Sequence, residues 1–392
     1  MSAASYQKAW DQLPETLRVA RAGAWKQFVA KGFPSKREED WRYTDLSALN
    51  DARFAEATET SIVATTLQNW QSLVFANGQR QNGEVRAFET PLADDGITAL
   101  NAALTRDGLD LRVARKQKAE PLHLLCLNSA AAMTHLRHRV VLEAGSEATL
   151  LIDTRGDDSA TLATGVLEVE IGANARLRLL RIQDGGQAST DLFRSQIRVG
   201  RDARLEYVGL DLGGALVRHD LNVQLCEPGA YAEVHGVFAP GGSTHVDTHT
   251  RILHQAPHTT SREVFRGLVA DRAHAVFNGR IVVEKAAQKT DSEQKLASLL
   301  LSPGAEINAK PELEIYADDV KCAHGATCGQ LDEMALYYLR SRGLDSDTAR
   351  NLLLFAFAHE VLAKVGAEDA RREMERRLAN RLPGSTAYED LI

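Results

Sequence analysis

Gly172-Ala173-Asn174-Ala175-Arg176-Leu177-Arg178-Leu179 and Gly200-Arg201-Asp202-Ala203-Arg204-Leu205-Glu206-Tyr207 share one template: Gly, Ala three residues on, then apolar residues at plus five and plus seven. A glycine marks a turn, and the alternation behind it marks a half-buried strand. Gly145, Ala148, Leu150 and Ile152 fit the template, and Gly229, Ala232 and Val234 fit all but its last position. The starts at 145, 172, 200 and 229 lie 27, 28 and 29 residues apart. Ala270, Ala273, Ala275 and Phe277 continue the pattern, and Ser302, Ala305, Ile307 and Ala309 do so faintly. No helical pattern of ten or more residues intervenes between copies, which excludes the βαβ repeat. A solenoid of stacked strands, or a sandwich of unusually regular meanders, remains. Coils of a solenoid bury their apolar positions only against each other and leave two open ends, so helical segments on either side are expected to cover those ends.

Helical texture does flank the repeats. Trp10, Leu13, Leu17, Ala20, Ala24 and Phe28 recur at spacings of three or four, with Pro14 able to start a second helix. Gly32-Phe33-Pro34 breaks the pattern, and in Glu38-Glu39-Asp40-Trp41-Arg42-Tyr43-Thr44 the aromatics Trp41 and Tyr43 are expected to anchor a surface loop. Beyond the repeats, Leu331, Met334, Ala335, Tyr338 and Leu339 form one stripe, and Asp345-Ser346 caps a very apolar helix running to Gly366. Glu368 to Arg381 makes a densely charged third helix. The expected organisation is a mainly helical N-terminal domain (1–115), a strand core (116–328) and a C-terminal helical domain (329–392).

The 392 residues are 44% hydrophobic and 25% charged, the composition of a globular protein. A formal net charge of -7 supplies no general pull toward nucleic acid or anionic lipid. Four scattered cysteines without a CxxC pair point to a reducing cytoplasm rather than a disulfide-stapled secreted fold. The apolar runs are too short for a signal peptide or a membrane span, so a soluble, unprocessed chain is expected. Walker A, GxSxG and placed Rossmann motifs are all missing from the sequence.

Cys322-Ala323-His324-Gly325 sets a thiol and an imidazole two residues apart on a strand, hence on one face. Ligation of iron or an iron-sulfur cluster is one reading; a small apolar Cys beside a hydrogen-bonded His is the other. This is half a metal site. Cys328 could curl back toward it, but is expected to pack at the start of the following helix. In Thr244-His245-Val246-Asp247-Thr248-His249, the residues His245, Asp247 and His249 share a face, either as a metal site or as a solvated polar face.

Taken together, Ala287-Gln288-Lys289-Thr290-Asp291, Leu299-Leu300-Leu301-Ser302, the run Lys310-Pro311 through Cys322-Ala323-His324-Gly325-Ala326-Thr327, and Tyr338-Leu339-Arg340-Ser341-Arg342-Gly343 resemble the SufD branch of the SufB/SufD family. Gly32-Phe33-Pro34 and Glu39-Asp40-Trp41-Arg42-Tyr43-Thr44 extend the likeness more loosely. The resemblance implies a mainly β protein, a right-handed parallel β-helix flanked by N-terminal and C-terminal α-helical domains. It implies a non-catalytic scaffold for iron-sulfur cluster assembly that pairs with SufB through the β-helix ends, or with a second copy of itself in isolation. The C-terminal helices would bind the ATPase SufC. A transient cluster, shared with SufB, would be held by His324 and Cys322. Two rivals are a β-helix carbohydrate-active enzyme with paired carboxylates and a self-contained zinc protein using Cys322, His324 and the His245 group.

Overall fold

The computed structural model describes residues 4–55, 59–82 and 95–382, so 56–58 and 83–94 of the expected helical N-terminal region, and the last ten residues, lie outside the description. Strands dominate, arranged as a ten-stranded and an eight-stranded sheet between which the chain alternates. Arg176–Asp184 lies in the larger sheet; the chain turns a corner into Thr190–Val199 of the smaller one, then returns through Gly200 to Ala203 into Arg204–Asp211. That strand pairs in parallel with Arg176–Asp184, Leu205 opposite Leu177 and Tyr207 opposite Leu179. One sequence period is therefore one coil: two strands and two corners. The fold is a β-solenoid of about eight turns.

The template residues each answer a constraint at the corner. Ala175 N–H donates to the Gly172 carbonyl at 3.0 Å, and Ala203 N–H to that of Gly200 at 3.2 Å, closing tight turns. The third turn residues, Asn174 (φ 58) and Asp202 (φ 53), take the left-handed conformation that Asn and Asp tolerate best after Gly. Ala175 and Ala203 are buried in the bend, where a small side chain fits. Gly172 answers to the stack itself, since a Cβ there would stand 2.7 Å from the Leu142 carbonyl oxygen of the coil beneath.

Two details of the sequence pattern are corrected. Gly145 (φ 71) and Gly229 (φ 74) are the third residues of turns beginning at Glu143 and Glu227, so Ala148 pairs with Leu177 rather than with Ala175. The Ala270 and Ser302 copies sit at the opposite corner and feed strands of the smaller sheet, His274–Val283 and Glu306–Ile315. Both corners use the same turn with an Ala at its end: Ala273 N–H donates to the Ala270 carbonyl and Ala305 N–H to that of Ser302.

Apolar residues line most of the lumen, with Leu150, Leu177, Leu179, Leu205, Val234 and Phe277 among its fully buried members, and Arg181 is buried there between Asp191 and Asp211. The helices lie on the outer faces of the sheets, not over the ends as the sequence suggests. Ser346–Leu362 and Glu368–Arg381 pack Leu354, Ala358, Met374 and Leu378 onto Leu180, Val208 and Val237 of the larger sheet. Gly96–Leu104 and the N-terminal aromatics, including the stacked pair Trp10 and Trp25, pack onto Leu162 and Leu192 of the smaller one. Within the expected helical N-terminal region, Gln71–Ala76 is a strand that joins the larger sheet beside Leu122–Asn128, and a two-residue antiparallel strand, Gln79–Arg80, ends that sheet. Short edges of this kind discourage further pairing. Among the described residues no such stop exists at the other end, where Lys321–Gly329 and Glu306–Ile315 form the bare margins of the two sheets.

Replacing Gly172 with Ala should push the bend off the coil beneath it and cost about 1–3 kcal/mol by overpacking. Urea unfolding checks this, with a lower midpoint at unchanged slope expected.

Candidate functional site

Along Lys321–Gly329 the side chains of Cys322, His324, Ala326 and Cys328 fall on one face by the two-residue period. Register fixes which face it is. Cys322 stands opposite Ser292, His324 opposite Gln294, and Ala326 opposite Leu296. Ser292, Gln294 and Leu296 are buried in the lumen, so the cysteine and histidine continue the lumen lining onto the last coil. Nothing stacks above them among the described residues. His324 is accordingly exposed, while Cys322 is half-buried against Val283 and Ala287. Cys328, expected at the start of a helix, is an exposed strand residue on the same face.

Burial pushes the Cys322 thiol up, and the nearby Asp291 carboxylate adds to the shift. The isolated chain therefore holds a protonated sulfur that must lose its proton before it binds metal. Beneath it runs a hydrogen-bonded column: the His254 imidazole to the Ser261 hydroxyl at 3.0 Å, and Ser261 to Ser292 at 2.7 Å. Burial drives His254 down to about 4. Below His324, Gln294 donates to the Glu263 carboxyl at 2.5 Å, and burial pushes that carboxyl up to about 7. Sequence reading missed this polar floor, because Glu263, Gln294, Ser261 and Ser292 resemble ordinary solvent-facing strand residues until the register turns them inward.

The second candidate group is not joined to the first. His245, Asp247 and His249 lie on the outer face of the smaller sheet, and the expected alternation along the strand holds, but the face is neither solvated nor a metal centre. Thr44 donates its hydroxyl to Asp247 and lies 2.9 Å from the His245 ring, while Trp41 stacks under the Arg218 guanidinium at 4.2 Å. Asp247 accepts from Arg218 at 2.5 Å and pairs with His249 at 3.0 Å. Burial raises the Asp247 carboxyl, but Arg218 and His249 outweigh it and hold it at about 2. Asp220 is half-buried, and Arg218 and Arg194 keep it well below the usual carboxylate range. Acids locked in the ionised form are the opposite of the protonated donor a glycoside hydrolase requires. The loop reading of Trp41 holds, whereas Tyr43 points outward and is exposed. Among the described residues, no three His, Cys, Asp or Glu side chains gather in a metal-binding arrangement. No helix among them is long and apolar enough to cross a membrane.

Comparison with known proteins adds the decisive observation. Residues 125–357 match the family profile described as SUF system FeS cluster assembly, SufBD core domain. The chain belongs to the SufBD family of iron-sulfur cluster assembly proteins. It is 30% identical to the iron-sulfur cluster assembly protein SufD of Escherichia coli, over 92% of each chain. A SufBD family protein of Synechocystis is also 30% identical, over 88% of this chain and 86% of its own, and SufD of Bacillus subtilis is 28% identical over 71% and 65%. The matched region spans the solenoid from its first coils and extends past Cys322 and His324 into the apolar C-terminal helix.

Glu263 gives a pH signature. Its folded carboxyl titrates near 7 against 4.5 in an unfolded chain, so the folded state retains a proton that the unfolded state has lost. The sign follows from linkage: this contribution is complete below about 4.5, declines as pH rises, and is gone above about 7. The buried histidines, His254 among them, titrate in the opposite sense, so the Glu263 component is read as a difference: the denaturant midpoint of the wild type relative to that of Glu263→Gln should fall over that window when both are measured from pH 4 to 8.

Proposed function

We propose that this SufBD family member is a non-catalytic scaffold subunit on which a nascent iron-sulfur cluster is assembled in a reducing cytoplasm. The three-part organisation 1–115, 116–328 and 329–392 is part of the proposal. The single observation that carries it is the bare last coil. Among the described residues two sheet margins end there with unpaired backbone groups, and the lumen face presents the His324 imidazole with the Cys322 thiol, Cys328 lying further along the same face. An unpaired parallel edge is a template for another chain, and a partner solenoid that continued the stack would bring ligands to the same rim. SufB is the partner assigned to this edge, with a second copy of the chain occupying it when SufB is missing. His324 and Cys322 are the ligands assigned on this side, and iron and sulfide are cargo rather than resident cofactors.

The ATPase SufC is assigned to the C-terminal helices. Glu333–Ser341 carries no buried residue and exposes Met334, Tyr337 and Tyr338, an apolar stretch beside the rim. Nucleotide bound by SufC can act at the rim only through contacts that differ between its two arrangements. No ATP chemistry is assigned to this chain.

Anaerobic co-purification with SufB and SufC, wild type against His324→Ala, tests the ligand assignment. Equal complex yield with a weaker cluster absorption band is expected, and an unchanged band removes His324 from the site. Cys322→Ser in the same assay decides whether the thiol ligates or only packs.

A further inference from the structure

The outer face of the smaller sheet carries a cavity of about 370 Å³ that rim chemistry does not use, within the size range of small-molecule sites. It forms where the Asp40-Trp41 segment crosses the coils. One cross-strand rung, Gln196, Asn222, Arg251 and Arg280 in register, lines its floor, and His249 and Asn278 come from the neighbouring rung. Parallel pairing spaces such groups at about 4.8 Å, close enough for one ligand to meet several.

Most of the charge around the cavity is already matched. Arg194 pairs with Asp220 at 3.1 Å, Arg218 with Asp220 at 2.8 Å, and Arg280 with Glu312 at 3.2 Å. The groups left over decide the matter. Arg251 has no ion-pair partner among the described residues, and the carboxamides of Gln196, Asn222 and Asn278 have no hydrogen-bond partner among them. Asn278 is 7% exposed and lines the cavity wall. Three of the four arginines that line the cavity are matched by acids, Arg218 by Asp247 as well, so Arg251 is the guanidinium left to meet a ligand. Guanidinium and carboxamide N–H groups converging on one space match oxygens of an anion, and the Trp41 indole walls one side.

We propose that this cavity is a binding site for a small polyanion bearing carboxylate or phosphate groups, held by Arg251 and by the carboxamides of Asn222 and Asn278. The site is independent of the scaffold assignment, being on the outside of the solenoid and complete within one chain.

Calorimetric titration of the full chain with pyrophosphate and with citrate, at matched ionic strength, tests the proposal. Saturable binding of at least one, tighter than about 1 mM, is expected, and the preferred anion identifies the phosphate or the carboxylate class. Arg251→Gln should weaken that binding at least tenfold without moving the melting temperature, because the side chain is exposed and unpaired. Asn278→Asp, which sets a carboxylate in the same volume, should abolish it; where that variant does not fold, Asn222→Asp, at a half-buried position, serves instead. Failure of both anions to bind below about 1 mM, or binding unchanged in Arg251→Gln, overturns the proposal.

Discussion

Each coil of this molecule is held by backbone hydrogen bonds to its neighbouring coils, and the remaining features follow from that dependence. Gly172 N–H donates to the Leu142 carbonyl and Gly200 N–H to that of Ile171, both at 2.8 Å, so even the corners are stacked. Buried backbone donors and acceptors cannot be left open without a cost of about 1–3 kcal/mol each. A stack must therefore be stopped or continued. The first coil is stopped by the short Gln79–Arg80 strand, while the last presents Lys321–Gly329 and Glu306–Ile315 unfinished.

The same register sets polar side chains inside the lumen at two levels. In the middle coils Arg181 meets Asp191 and Asp211, and Ser195 meets His219, among columns of leucine and valine; near the open end the column under Cys322 is Ser292, Ser261 and the neighbouring His254, and that under His324 is Gln294 and Glu263. Buried hydroxyls and carboxyls pack no better than leucine and must find partners, so their use below the open end is intelligible where water and protons reach the last coil. Among the described residues, helices clad the two outer faces and leave this end clear. The separation lets one sheet serve as a wall for packing while its margin remains available for pairing.

Local signals were legible and distant ones were not. The 28-residue period, the shared face of Cys322 and His324, and the flanking helices could all be read, since each rests on spacing within a few residues. The two corners of a coil were conflated because both close with an Ala at the fourth turn position, as at Ala175 and Ala273. Gln71–Ala76 was missed as a strand because its partner, Leu122–Asn128, lies some fifty residues downstream and six residues alone show no period. Cys328 was misplaced because Gly325, Thr327 and Gly329 look like a turn; on a coil with nothing stacked above it, small residues remain compatible with a strand. The His245 group defied both sequence readings, since what covers it is Thr44, about two hundred residues away.

That last contact has a consequence for biogenesis. The Trp41–Thr44 segment emerges from the ribosome long before the strands holding Arg218 and Asp247 exist, so its docking site is absent during much of synthesis. Contacts of such sequence separation form slowly, and aromatic segments awaiting a distant surface are prone to association in the interval. In a nascent chain of this design the aromatic segment stays undocked until the middle coils have closed.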